Sequence, residues 1–279
     1  MEYIVTINSL EEIERLNYAD SYLFGNNSFS IYSIGSFPLN NLKKIVDKIH
    51  FLNKKAYILV NKLFFDNELD KLYKHLKQLK EINVDGIFFS DFAVYQIAKK
   101  LNICHLLIFY HETLSRNSYD INEFINLNIK KVIISKDANL EDIKKLKNKE
   151  KLGISIFGYF PIYYSKRKVL TNQKNTYKLK INKQEIFQLK EQKREELYYL
   201  IENKNGSVIF NAFPLNYYNY LNVLKNYVSS FIINSSFFDI DSINEFINKC
   251  KNGSAKTIDE IFKNQEFTEG FLINKVGVK

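Results

Sequence analysis

The chain contains no tryptophan, one methionine, two cysteines, three prolines and nine glycines among its 279 residues. Each shortage excludes something. Few glycines leave little material for phosphate loops, and neither a P-loop nor a G-x-G-x-x-G after an early strand is present. Three prolines exclude collagen and polyproline linkers. Cys104 and Cys250 lie far apart and form no C-x-x-C pair, so neither a disulfide framework nor a zinc ribbon is available, and the cytoplasm is the expected compartment. No stretch approaches the roughly 20 apolar residues of a membrane span, and Met1 to Val5 lacks the basic and apolar regions of a secretory signal, so no membrane association is expected.

Aromatic and basic residues are abundant. Twenty-three Phe and 19 Tyr supply bulky core filling, and 46% hydrophobic with 25% charged residues is a globular balance that excludes disorder and coiled coil. Forty Lys and Arg against 31 Asp and Glu give a formal +9, which favours a polyanionic partner, although nucleotide bias in a Lys- and Asn-rich chain gives the same number. The excess is concentrated. From Lys166 to Arg194 there are ten basic residues against two Glu, a local +8 that falls to +6 when Glu195 and Glu196 are included.

Short apolar runs alternate with amphipathic stretches. Strands are expected at Tyr3 to Ile7, Ser21 to Phe24, Ala56 to Val60, Gly86 to Phe89, His105 to Phe109, Val132 to Ile134 and Ile154 to Phe157. Helices are expected around Leu10 to Leu16, Leu42 to Ile49, from an N-cap at Asp66 through Leu79, Phe92 to Leu101, Ile121 to Leu127 and Leu140 to Leu146. In the third of these, Leu69, Leu72, Tyr73, Leu76 and Leu79 form the apolar stripe, and His75 is expected at the surface among lysines. The strands are continuously apolar, the pattern of a parallel sheet covered on both faces, and their number predicts a (β/α)8 TIM-type barrel, regular or irregular. An open doubly wound sheet is the alternative. Residues Gly158 to Lys183 read as irregular, Gln184 to Glu202 as a charged helix, Ser207 to Phe210 as a strand within an insertion (about 158–205), Asn216 to Leu224 as a Tyr-rich helix and Ser230 to Ile233 as the closing strand. Gly270 to Ile273 reads as a short edge strand.

A barrel carries its site at the C-terminal ends of its strands. Asn61, Ser90-Asp91, Tyr110-His111-Glu112, Ser135-Lys136-Asp137 and Gly158-Tyr159 stand there. Glu112 beside His111, and Asp91, are the candidates for acid/base work, with a helix cap as the plain alternative for Asp91 and a turn former for Asn61. Four histidines without H-x-x-x-H spacing offer no metal site, and no G-x-S-x-G elbow supports a serine hydrolase. Tyr159, Phe160, Tyr163, Tyr164 and Tyr177 interleave with the basic run, a combination suited to RNA backbone contact and base stacking; a solvated insertion is the alternative.

At this loop the sequence resembles a known family. The segment from Phe157 to Asn172, FGYFPIYYSKRKVLTN, resembles the signature of peptidase family U32, in which a strand ending in His-Gly leads into a Ser-x-Arg-Cys segment. Ala56 to Asn61, Val84 to Asp91, Glu112 to Asn117 and Lys131 to Leu140 resemble further blocks of that family in order and spacing, along essentially the whole chain. The resemblance implies one barrel domain over 1–279 with Asn61, Asn117, Tyr164, Ser165, Lys166, Arg167 and Lys168 binding substrate, the three basic residues holding phosphate or an acidic small molecule. Phe157 replaces the family's His and Lys168 the first of four cluster cysteines, so two cysteines cannot bind a [4Fe–4S] cluster. Among family branches the short, cysteine-poor form is most similar to that of tRNA wobble-uridine hydroxylation, yielding 5-hydroxyuridine, with tRNA or another polyanion as partner. The alternatives are a peptidase acting on unfolded or collagen-like protein, and a non-catalytic partner of a four-cysteine U32 paralogue that carries the cluster.

Overall fold

The computed structural model describes residues 1–31, 35–111, 113–178, 186–193 and 195–273. Seven strands and six helices alternate first: β1 (Glu2–Thr6), α1 (Glu12–Arg15), β2 (Ser21–Gly25), α2 (Leu42–Phe51), β3 (Lys55–Val60), α3 (Leu69–Glu81), β4 (Gly86–Phe89), α4 (Phe92–Lys100), β5 (Leu107–Phe109), α5 (Ser118–Asn126), β6 (Lys131–Ile134), α6 (Leu140–Lys144) and β7 (Leu152–Gly158). An excursion follows: β8 (Pro161–Ser165), α7 (Val169–Tyr177), β9 (Ile186–Lys190), β10 (Leu197–Asn203), β11 (Gly206–Phe210) and β12 (Leu215–Asn216). After α8 (Leu221–Leu224), β13 (Ser230–Ile233) inserts between β7 and β1, and α9 (Ile240–Asn252) and α10 (Ile258–Ile261) end the described fold.

β1 to β7 and β13 close into an eight-stranded parallel barrel, β7 pairing with both β6 and β13 and β13 with β1. The strands are apolar throughout because each is buried twice. Ile4, Leu23, Tyr57, Leu59, Phe88, Ile108, Ile133 and Ile232 fill the lumen, and the alternate residues pack against the helices. The N-terminal end is closed by a polar plug. The Glu2 carboxylate accepts from Ser21 Oγ and Tyr57 Oη, each at 2.7 Å, and pairs with Lys131 at 3.2 Å and Lys55 at 3.3 Å. Burial alone would raise the Glu2 pKa, but these cations and donors outweigh it and hold it at about 2.

β8 to β11 form a second, antiparallel sheet in the order β8-β11-β10-β9. The helix expected over Gln184–Glu202 is therefore two strands where it is described: Ile186 to Lys190 alternates exposed and half-buried residues, and Leu197 to Ile201 is the β-prone run Leu-Tyr-Tyr-Leu-Ile. The irregular stretch expected from Gly158 contains β8 and α7. Contacts at the β13–α9 loop and at the β10–β11 turn clasp this sheet to the barrel. Phe237, on the β13–α9 loop, stacks on Tyr199 at 4.2 Å and meets Tyr159 and Phe210 edge-on. At the β10–β11 turn, Asn205 Nδ2 donates to Ser30 O at 3.1 Å and to Asn27 O. That turn needs Gly206: φ is +123°, and a Cβ would lie 1.9 Å from the Ser165 carbonyl oxygen.

Other departures are local. Asp66 does not cap α3; it opens a 3₁₀ turn, and the Glu68 carboxylate accepts from the Phe65 amide at 3.0 Å. His75, three residues after Leu72 and four before Leu79, takes the buried place expected for Tyr73, which is exposed. Cys104–Leu106 forms a 3₁₀ turn ahead of β5, and much of the expected Tyr-rich helix is a 3₁₀ turn at Tyr218–Tyr220. Of the expected edge strand, Gly270 to Ile273 forms a turn; the pairing at that edge is a bridge between Leu215 and Thr268. Among the described residues no helix is long and apolar enough to cross a membrane.

Candidate functional site

The C-terminal mouth is narrow at its axis. Thr6, Asn8, Leu59, Tyr110, Pro161 and Asn234 help line a well of about 30 Å³, room for a water or two. Thr6 Oγ1 meets Asn234 Oδ1 at 3.2 Å and Ser235 Oγ at 3.1 Å, and Asn234 Nδ2 donates to Tyr159 O at 2.6 Å, tying β1, β13 and the start of the excursion together. Gly158 permits this approach: at φ +113°, a Cβ there would lie 2.2 Å from Asn234 O. Asn234, Ser235 and Ser236 were legible by the same strand-end rule that singled out Asn61, since they directly follow the closing strand.

The expected mouth residues are mostly committed to the loops they occupy. Asp91 caps α4, Oδ1 accepting from the Ala93 amide at 2.8 Å and Oδ2 from the Phe64 amide at 2.9 Å. Asn61 is buried; its Oδ1 accepts from the Ile31 amide at 3.2 Å and its carbonyl from Ser90 Oγ at 3.0 Å, while Nδ2 has no partner among the described residues. The structure thus joins Asn61 and Asp91 through the β3 and β4 loops. Asn117 instead caps α5, accepting from the Tyr119 and Asp120 amides at 3.0 and 3.1 Å. Glu112 lies outside the described residues. His111 Nδ1 receives the Thr113 and Leu114 amides at 3.2 and 3.3 Å, and burial pushes the ring's pKa down.

The basic run separates into roles. Tyr164 Oη donates to Asn205 O at 3.1 Å, and burial pushes its pKa up to about 12. Ser165 Oγ accepts from the Arg167 amide at 3.1 Å. Arg167 and Lys168 are exposed, whereas Lys166 is half-buried, with Nζ 3.1 Å from the centre of the Phe65 ring and 3.9 Å from Glu68. Burial lowers the Lys166 pKa against the opposing pull of Glu68. Of the aromatic residues expected to stack bases, Tyr159 and Phe160 are buried and serve the core; Tyr163 and Tyr177 are exposed.

Beside Asn61 lies an open cleft of about 310 Å³ that sequence reasoning missed, lined among others by Lys62, Phe64, Glu68, Lys71, Lys204 and Asn205. Its residues come from separate parts of the chain, and the available signal was Lys62 directly after Asn61. Lys62 Nζ bonds Glu68, whose carboxylate burial would push up in pKa but Lys62, the Phe65 amide and Lys166 hold below its usual range.

The position matching the family's His points elsewhere. Phe157 is fully buried outside the barrel among Phe238, Phe246, Phe262 and Phe267, ring centres 4.3 to 5.5 Å away. Both cysteines are free, and among the described residues no group of three His, Cys, Asp or Glu could hold a metal ion. The side chains do not fit a [4Fe–4S] cluster, since Lys168 is a cation where a thiolate is needed.

A closed parallel barrel with its elaborated loops at the C-terminal face defines a (β/α)8-barrel protein. The chain belongs to peptidase family U32, whose model matches residues 11–278. It is 26% identical over 75% of its length to tRNA hydroxylation protein P2 of Bacillus subtilis (strain 168), covering 70% of that protein. It is 28% identical over 54% of its length to tRNA hydroxylation protein P of Helicobacter pylori (strain ATCC 700392 / 26695), covering 37% of it. A solved structure of a U32 peptidase shares the fold, with a TM-score of 0.54 at 10% identity, over 85% of this chain and 93% of that one.

Proposed function

We propose that this protein takes part in hydroxylation of the tRNA wobble uridine to 5-hydroxyuridine, engaging tRNA through the basic face of the barrel mouth. The observation that carries this is Lys166 seated on Phe65 in the loop after β3, with the exposed Arg167 and Lys168 following it in sequence, in a chain aligned over three quarters of its length with tRNA hydroxylation protein P2. Cations on the short bend between β8 and α7 suit phosphate contact, which holds the polymer without reading its sequence. A cytoplasmic location follows from tRNA as partner. The test is to delete the gene and weigh tRNA nucleosides by mass spectrometry: 5-hydroxyuridine and its derivatives fall, and an unchanged pool refutes the reading.

The nearly closed axial well and Phe157 in the core favour a second form of the same reading, in which this chain presents RNA and a four-cysteine U32 paralogue supplies the cluster chemistry. Affinity purification then recovers the paralogue. Turnover by the isolated chain refutes it. Peptidase activity on unfolded or collagen-like protein has only the family name behind it.

A further inference from the structure

The 310 Å³ cleft is built from three separate segments that the fold brings together. Lys62 comes from the loop after β3, Lys71 from the first turns of α3, and Lys204 from the β10–β11 turn clasped against the barrel by Asn205. Among the described residues one carboxylate, Glu68, faces these three cations, and it is already engaged by Lys62 and the Phe65 amide. Lys204 spends one donor on Ser28 Oγ at 3.0 Å, and Lys71 has no hydrogen bond or ion pair among the described residues. A concave site with surplus ammonium donors and the Glu68 carboxylate already satisfied is chemically suited to a dianion or phosphodiester.

We propose that this cleft is a phosphate subsite that takes a backbone phosphate of single-stranded RNA, with Lys62 as its fixed floor and Lys71 and Lys204 as its clamps. RNA is favoured over a free phosphate compound because the cleft is open and its cations continue through Lys166 to the exposed Arg167 and Lys168, a track rather than a closed pocket. RNA as the occupant rests on the proposed function; the affinity for phosphate does not.

The test uses a fluorescein-labelled oligouridylate, read by anisotropy at several salt concentrations, with pyrophosphate as competitor. The double variant Lys71→Gln/Lys204→Gln loses about tenfold in affinity at low salt, and its salt slope falls by about two. A control of equal charge change on exposed helix surface outside the cleft, Lys77→Gln/Lys100→Gln, stays near wild type; circular dichroism confirms that both fold. Equal losses in the two variants overturn the proposal, because bulk charge alone then explains binding. Pyrophosphate binding that depends on Lys71 and Lys204, with oligouridylate binding that does not, overturns RNA as the occupant. Cleft-dependent RNA binding alongside an unchanged 5-hydroxyuridine pool in the deletion strain refutes the proposed function and upholds the subsite.

Discussion

Asn205, at the tip of the β10–β11 hairpin, donates its side-chain amide to the Ser30 carbonyl 3.1 Å away, joining residues 175 positions apart across the barrel rim. This bond and the Phe237 stack fix the small sheet against the mouth, and the same hairpin carries Lys204 into the cleft.

Replacing Asn205 by Ala removes the donor from the buried Ser30 carbonyl and from the half-buried Asn27 carbonyl. The expected cost is about 1–3 kcal/mol in urea unfolding. Limited trypsin digestion within 161–210 accelerates at the same time, because the β10–β11 turn loses its hold on the barrel rim. An unchanged digestion pattern counts against the clasp.

Phe157→His installs the family's residue. The imidazole enters an aromatic cluster in which Phe238, Phe246, Phe262 and Phe267 offer no hydrogen-bond partner, so stability falls by about 2–4 kcal/mol. Recovery of any hydroxylation activity by this variant contradicts the outward placement of the side chain.

His75 stacks on Phe29 at 3.9 Å, and its Nδ1 is buried without a partner among the described residues; burial lowers its pKa to about 4. A base whose pKa falls on folding gives stability that is complete above its unfolded value of about 6.5 and is lost as pH drops toward 4. The loss is on the order of 3 kcal/mol over that window. In His75→Phe, chemical unfolding from pH 7 to 4 follows a flatter curve.

Glu2 acts in a lower window. Its carboxylate pKa is depressed to about 2, so its contribution is complete above the unfolded value of about 4.5 and disappears as pH falls through 2. Glu2→Gln is less stable at neutral pH by on the order of 3 kcal/mol, and the difference from wild type narrows below pH 4.

The triple change Lys166→Ala/Arg167→Ala/Lys168→Ala weakens oligouridylate binding without regard to base identity. Arg167 and Lys168 are exposed and lie on the proposed phosphate track. Preserved affinity removes the insertion from the interface.

The barrel was readable because short runs such as Ile-Leu-Val at 58–60 and Ile-Phe-Phe at 87–89 are buried on both faces and alternate with amphipathic helices. The second sheet was not, because Lys190, Glu191, Lys193 and their neighbours surround short strands with the charge of a solvated helix, and the strands are only half-buried. Strand ends located Asn61 and Asp91, and the basic run located Lys166, but spacing in sequence cannot show that a residue's polar atoms are already used. The Asp91 cap on Ala93 was legible, whereas its bond to the Phe64 amide, 27 residues earlier, is a long-range relation with no local signature. The Lys62–Lys71–Lys204 cleft escaped for the same reason: it exists only once a hairpin near residue 205 folds back over residues 27–30.

The excursion leaves and re-enters the barrel at nearly one point. Asn211 Oδ1 accepts from the Phe160 amide at 2.7 Å, the Asn211 amide donates to Phe160 O at 3.1 Å, and β12 then runs antiparallel beside β7. Residues 161–210 carry eleven Lys and Arg against five Glu, +6 of the chain's +9. Much of the chain's positive charge is thus carried by a cassette joined to the barrel through adjacent strands of backbone. Substitution within it can retune attraction to a polyanion while the eight-stranded core, closed independently by β13, keeps its register.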